Sequence, residues 1–135
     1  MPTDFSKWEH KELWVRRGKN FTVEISRHRI NRSGSYDGQH GWCVYAYIFP
    51  EHPHFSRFSG PDMWQEAASV LPMHGGPTYL KYHESSGKVT CVQTGCDYNH
   101  LHDDRFTYMD TPEKAYSVFT DADDLYDTLA AMQEN

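Results

Sequence analysis

Phe21, Val23 and Ile25 alternate with Thr22, Glu24 and Ser26, the period-two pattern of a half-buried strand that runs on to Arg29. Residues 42–49 form a nearly unbroken aromatic and β-branched run, which reads as a central strand covered on both sides and ended by Pro50. Two more strands are expected at 78–83 and 88–95, joined by Glu84-Ser85-Ser86-Gly87, the small and polar residues that turns require. With a loop of those four, antiparallel pairing matches Tyr82 with Val89 and Leu80 with Cys91, so Leu80, Tyr82, Val89 and Cys91 share an apolar face. Extending that register sets His74 opposite Asp97.

Helical spacing takes over elsewhere. Pro61 opens a helix whose stripe is Met63, Trp64, Ala67, Ala68 and Leu71, and Pro72 stops it. Residues 3–10 read as one helical turn, and 115–119 as a final short strand. Thr120 then caps a last helix, with Asp121, Asp123 and Asp124 in its first turn and Ala122, Leu125, Tyr126, Leu129 and Met132 facing inward. Residues 18–20 read as a turn and 31–41 as a long loop. Together these predict an α+β fold in one domain, residues 1–135: an antiparallel sheet of about four to five strands, with two main helices near 61–71 and 121–133 packed on one face.

Composition narrows the class. Hydrophobic residues make up 38% of the chain, but an aromatic content of 15% supplies the missing buried area. No apolar run approaches the roughly 20 residues of a membrane span, and the first residues lack the apolar middle of a secretory signal, so a soluble cytoplasmic protein is expected, with no membrane partner. Cys43, Cys91 and Cys96 are odd in number and lack C-x-x-C spacing, which fits buried thiols. The net charge of −6 divides into +3 over residues 1–60 and −9 over 61–135, and the acidic second half speaks against direct nucleic-acid binding.

The candidate chemistry lies between His74 and Asp103. His74-Gly75-Gly76-Pro77-Thr78 contains two glycines that admit backbone conformations a side chain forbids, and Asp97, His100 and Asp103 recur at the spacing of one helical face. Two imidazoles with carboxylates form a common set for divalent metals, and an Asp–His pair alone suits acid–base work. The candidates are His74, Asp97 and His100 as catalytic residues, His74, Asp97, His100 and Asp103 as metal ligands, and His52, Gly75, Gly76 and Thr78 as binding residues. His52, before Pro53, is held in extended geometry at a strand end. An Asp capping a following turn, or a His donating to a backbone carbonyl, would leave the same sequence. Cys96 points away from Asp97 in an extended strand, which argues against a Cys–His mechanism.

Three blocks in order, Val44-Tyr45-Ala46-Tyr47-Ile48-Phe49-Pro50-Glu51-His52-Pro53, His74-Gly75-Gly76-Pro77-Thr78-Tyr79 and Gly95-Cys96-Asp97-Tyr98-Asn99-His100 with Asp103, resemble a family of small proteins encoded by phages and by actinobacteria and other bacteria. In that family the blocks are a strand leading to His-Pro, His-Gly-Gly-x-Thr, and Gly-Phe-Asp-x-x-His-x-x-Asp. Cys96 replaces the usual aromatic, and Pro77 follows the glycines here. The resemblance covers roughly residues 42–105 and implies a phage or prophage origin, without lending a reaction.

Two functions follow as expectations. One is a small accessory protein with a His/Asp pocket and a metal-dependent or acid–base, hydrolase-like activity on a small-molecule ligand. The other is a non-enzymatic binding protein that inhibits a host anti-phage defence complex, using eight acids between Asp103 and Asp127 as a mimic of nucleic-acid charge.

Overall fold

The computed structural model describes residues 11–29, 40–60, 70–98 and 103–134. The expected turn at 3–10, most of the loop at 31–41, residues 61–69 of the expected helix and His100 lie outside that set.

Among the described residues, five antiparallel strands form one sheet: β1 (Lys11–Gly18), β2 (Phe21–Arg29), β3 (His40–Ile48), β4 (Tyr79–Ser85) and β5 (Lys88–Asp97), in the order β1-β2-β3-β5-β4. The alternation read in β2 holds, since Phe21, Val23 and Ile25 are all buried. Register carries that face across the sheet, pairing Ile25 with Val44 and Val23 with Ala46, then Val44 with Cys96 and Ile48 with Val92. β1 supplies the fifth strand, folded onto β2 by a turn at Lys19-Asn20 in which Asn20 takes φ 68°.

A short helix α1 (Phe55–Ser59) follows β3 and buries Phe58. The long helix α2 (Tyr116–Ala131) buries Val118, Ala122, Leu125 and Leu129 in one cluster with Phe21, Val23, Ile25, Val44, Ala46 and Ile48. Each fully buried leucine contributes about 2 kcal/mol by leaving water. Residues 116–119 are the first turn of α2 rather than a strand: the 3.6-residue stripe extends upstream through Val118 to buried Ala115. Thr120 is therefore inside the helix, its hydroxyl donating to the Tyr116 carbonyl at 3.1 Å. The residue that shapes the entry is Thr111, whose Oγ1 accepts from the Lys114 amide at 3.2 Å.

The β4–β5 register differs from the expected one. β4 continues through Ser85, the turn is only Ser86-Gly87 with both residues at positive φ, and a bulge falls between His83 and Glu84. Tyr82 consequently faces Val92 instead of Val89, and Leu80 faces Thr94 instead of Cys91. The shift of three positions on β5 is odd, so it exchanges faces: Cys91 pairs with His83, on the side opposite Leu80 and Tyr82.

Candidate active site at His74 and Asp103

The site is assembled where the chain enters β4 and where it leaves β5. Gly75 and Gly76 both take positive φ, 71° and 81°, and the Gly76 amide donates to Met73 at 3.0 Å, which makes a tight turn with His74 inside it. Thr78 donates its amide to the Gly95 carbonyl at 2.8 Å and so anchors the end of that turn to β5. On the other side, Tyr98 follows β5 with its amide on the Trp42 carbonyl at 3.0 Å, and a 3₁₀ turn, residues Asp104–Tyr108, begins after Asp103.

His74 lies flat on Tyr98, with ring centroids 4.4 Å apart and planes 9° from parallel, and Phe106 meets it edge-on at 5.5 Å. Tyr98 and Phe106 are both buried. The Tyr98 hydroxyl donates to Asp121 of α2 at 2.6 Å; burial first, and that hydrogen bond second, push its pKa up. His74 Nε2 lies 2.9 Å from each carboxylate oxygen of Asp103. The Asp103 side chain is 10% exposed and that of His74 27%. Although Asp103 occupies the cap position of the following turn, its side chain makes no capping bond. A carboxylate only accepts, so Nε2 is the donor of the pair.

The expected partner of His74 was Asp97, and the face exchange of β5 is what replaces it. Asp97 is the last residue of β5 and pairs with Cys43, on the opposite face from Cys96 and Val44. Cys96, by contrast, is buried on the His74 side, with the His74 backbone amide directed at its sulfur. Burial pushes the Cys96 thiol up to about 12, so it is a packed thiol and not an activated nucleophile. All three cysteines are buried, and none is in a disulfide.

His52 is placed elsewhere. It is 2% exposed, donates Nε2–H to the Leu129 carbonyl at 3.1 Å, accepts the His54 amide on Nδ1 at 3.1 Å and packs edge-on against Phe21. Both ring nitrogens thus brace the end of α2 against the turn after β3. Burial, the largest effect, pushes its pKa down.

Among the described residues, no group of three or more His, Cys, Asp or Glu is arranged to hold a metal ion, and no helix is long and apolar enough to cross a membrane. The acids of α2 are partly committed, because Asp121 serves Tyr98 and Asp123 pairs with Arg16 at 2.9 Å, while Asp124 and Asp127, and Glu113 before the helix, are exposed. The aromatic walls of the site, Tyr98 and Phe106, were not singled out by motif reading; the signal for Tyr98 was its place inside the Gly95–His100 block. No protein-family model, curated protein or solved structure matches the chain.

Proposed function

We propose that the protein is a small acid–base or hydrolase-like protein whose reactive group is the His74 imidazole, oriented by Asp103. The supporting observation is the commitment of both Asp103 oxygens to His74 Nε2 at 2.9 Å, in preference to the turn amides that Asp103 heads. That arrangement orients the imidazole for acid–base work and sets a carboxylate beside the positive charge that develops on the ring. Stacking on Tyr98 sets the ring plane, and Gly75-Gly76 places no side chain beside it. His100 is the second imidazole of this proposal. Its metal-dependent form makes His74 a ligand with Asp103 as the carboxylate behind it.

The test is hydrolysis of chromogenic ester, phosphoester and amide substrates, with and without zinc or manganese. His74→Gln should reduce turnover about 100-fold and Asp103→Asn by about 10-fold or more, with melting temperatures kept within a few degrees. Turnover indifferent to His74→Gln, or absent across all three substrate classes, would remove this reading. The binding-protein alternative, inhibition of a host defence complex, would then rest on the exposed acids Glu113, Asp124 and Asp127.

A further inference from the structure

The two edges of the sheet are built differently. β4 is interrupted by the bulge at His83/Glu84 and carries exposed Lys81 and Glu84, the usual means of keeping an edge from pairing. β1 keeps unbroken register with β2 over all eight residues and contains no proline. It also exposes two large apolar side chains on one face, Leu13 at 51% and Val15 at 43%. Among the described residues, no strand pairs with its outer side.

We propose that β1 is a pairing edge for a second copy of this chain, joined antiparallel about a two-fold axis at Trp14. The strand sequence is the argument. Read from Glu12 to Arg16 it is Glu-Leu-Trp-Val-Arg, which, turned end to end on itself, sets Glu12 opposite Arg16, Leu13 opposite Val15 and Trp14 opposite Trp14. Opposite charges meet on one face, and the two exposed apolar side chains meet on the other. Backbone alternation agrees. Gly18 and Phe21 close the hairpin as a bonded pair, so the N–H and C=O groups of Arg17, Val15 and Leu13 turn away from β2. Leu13 and Val15 then exchange hydrogen bonds with Val15 and Leu13 of the second copy.

Glu12 already meets Arg27 at 2.5 Å, and Arg16 meets Asp123 at 2.9 Å and covers the Tyr126 ring at 3.5 Å. The cross-strand pairs therefore join existing ion pairs into a row along the seam. Lys11 falls opposite Arg17 at the two ends, a like-charge pair that confines strong pairing to the central five positions. The result is a ten-stranded sheet with the two β4 edges outermost. One strand pair buries less than a standard interface of roughly 1,600 Å², so the dimer belongs to the micromolar class.

Sedimentation velocity of the full chain from about 1 to 500 µM decides it. The wild type should pass from its 15.8 kDa monomer to twice that mass. Leu13→Lys with Val15→Lys should remain monomeric throughout, with an unchanged circular-dichroism spectrum. Glu12→Lys and Arg16→Glu should each weaken association about 10-fold or more, because each sets like charges opposite, and their equimolar mixture should restore it by pairing Lys with Glu and Arg with Glu. Should the double-lysine variant fail to fold, recovery in the mixture carries the decision. A wild type monomeric to 500 µM, a dimer indifferent to the substitutions, no recovery on mixing, or assembly beyond the dimer overturns the proposal.

Discussion

The Asp103 carboxylate holds the His74 imidazole with both oxygens, each 2.9 Å from Nε2, across a sequence separation of 29 residues. With the edge-on packing of Phe106 on His74, this contact ties the Gly75-Gly76 turn to the 3₁₀ turn after β5. A charge-assisted hydrogen bond at a largely buried carboxylate has a measurable weight. Asp103→Ala should destabilise the fold by about 2 kcal/mol, and a double-mutant cycle with His74→Ala should show a coupling of about 1 kcal/mol or more in urea denaturation. Additive single effects would mean that the contact contributes nothing of its own.

His52 predicts a pH dependence of stability with a definite sign. Its folded-state pKa lies below 6.5 because burial disfavours the charged ring, and a proton on Nδ1 would also oppose the His54 amide that now donates to it. Below pH 6.5 the unfolded chain therefore takes up the proton more readily than the folded one. The stabilisation is complete above 6.5 and is lost as the pH falls through that value toward the folded pKa. His40, lowered chiefly by burial and then by Arg27, acts in the same direction. Urea midpoints measured from pH 8 to pH 5 should fall on the acid side, and His52→Gln should make that fall shallower. An unchanged slope would show that His52 does not govern it.

The start of α2 gives a paired test. Thr120→Ala should alter stability by less than about 0.5 kcal/mol, because its hydroxyl only donates back to the helix at Tyr116. Thr111→Ala should cost about 1 kcal/mol, because it removes the acceptor of the Lys114 amide in the turn that leads into the helix. Thermal melts of the two variants would show the reverse order if the helix began at Thr120.

Gly95 is required by what lies against it. An added Cβ would come within 2.4 Å of a Tyr45 ring carbon and 2.5 Å of the Val44 carbonyl oxygen, and the second of these is backbone in the middle of β3. Gly95→Ala should therefore cost about 2 kcal/mol or more. Gly87→Ala, where the added atom meets nothing within 4 Å, should cost only the strain of its φ of 77°, about 1 kcal/mol. Equal effects in denaturant would contradict the packing of Tyr45 over β5.

The strands β2 and β3 were legible because alternation and a long apolar run are properties of consecutive residues. The β4–β5 register was not, because it depends on where a turn closes and on one bulged residue. Glu84 and Ser85 carry loop chemistry yet continue the strand, and a shift of three positions reverses every face. That reversal turned Asp97 from the expected partner of His74 into a neighbour of Cys43, while Asp103, read as a ligand or cap, became the partner. The first turn of α2 was misread for a related reason: Tyr116-Ser117-Val118-Phe119 is rich in β-forming side chains, and the tertiary stripe through Ala115 and Val118 outweighs that preference. His52 lies in the turn after β3, and only the fold reveals that Leu129, 77 residues away, occupies its Nε2.

In the proposed function, Asp103 holds His74 as the reactive base. The most direct measurement is the rate of carbethoxylation of each histidine by diethyl pyrocarbonate at pH 7, resolved by mass spectrometry in wild type and Asp103→Asn. His74 should react several-fold faster than buried His52, and the substitution should slow His74 alone. A His74 that resists the reagent, or reacts at the same rate in both proteins, would contradict the account.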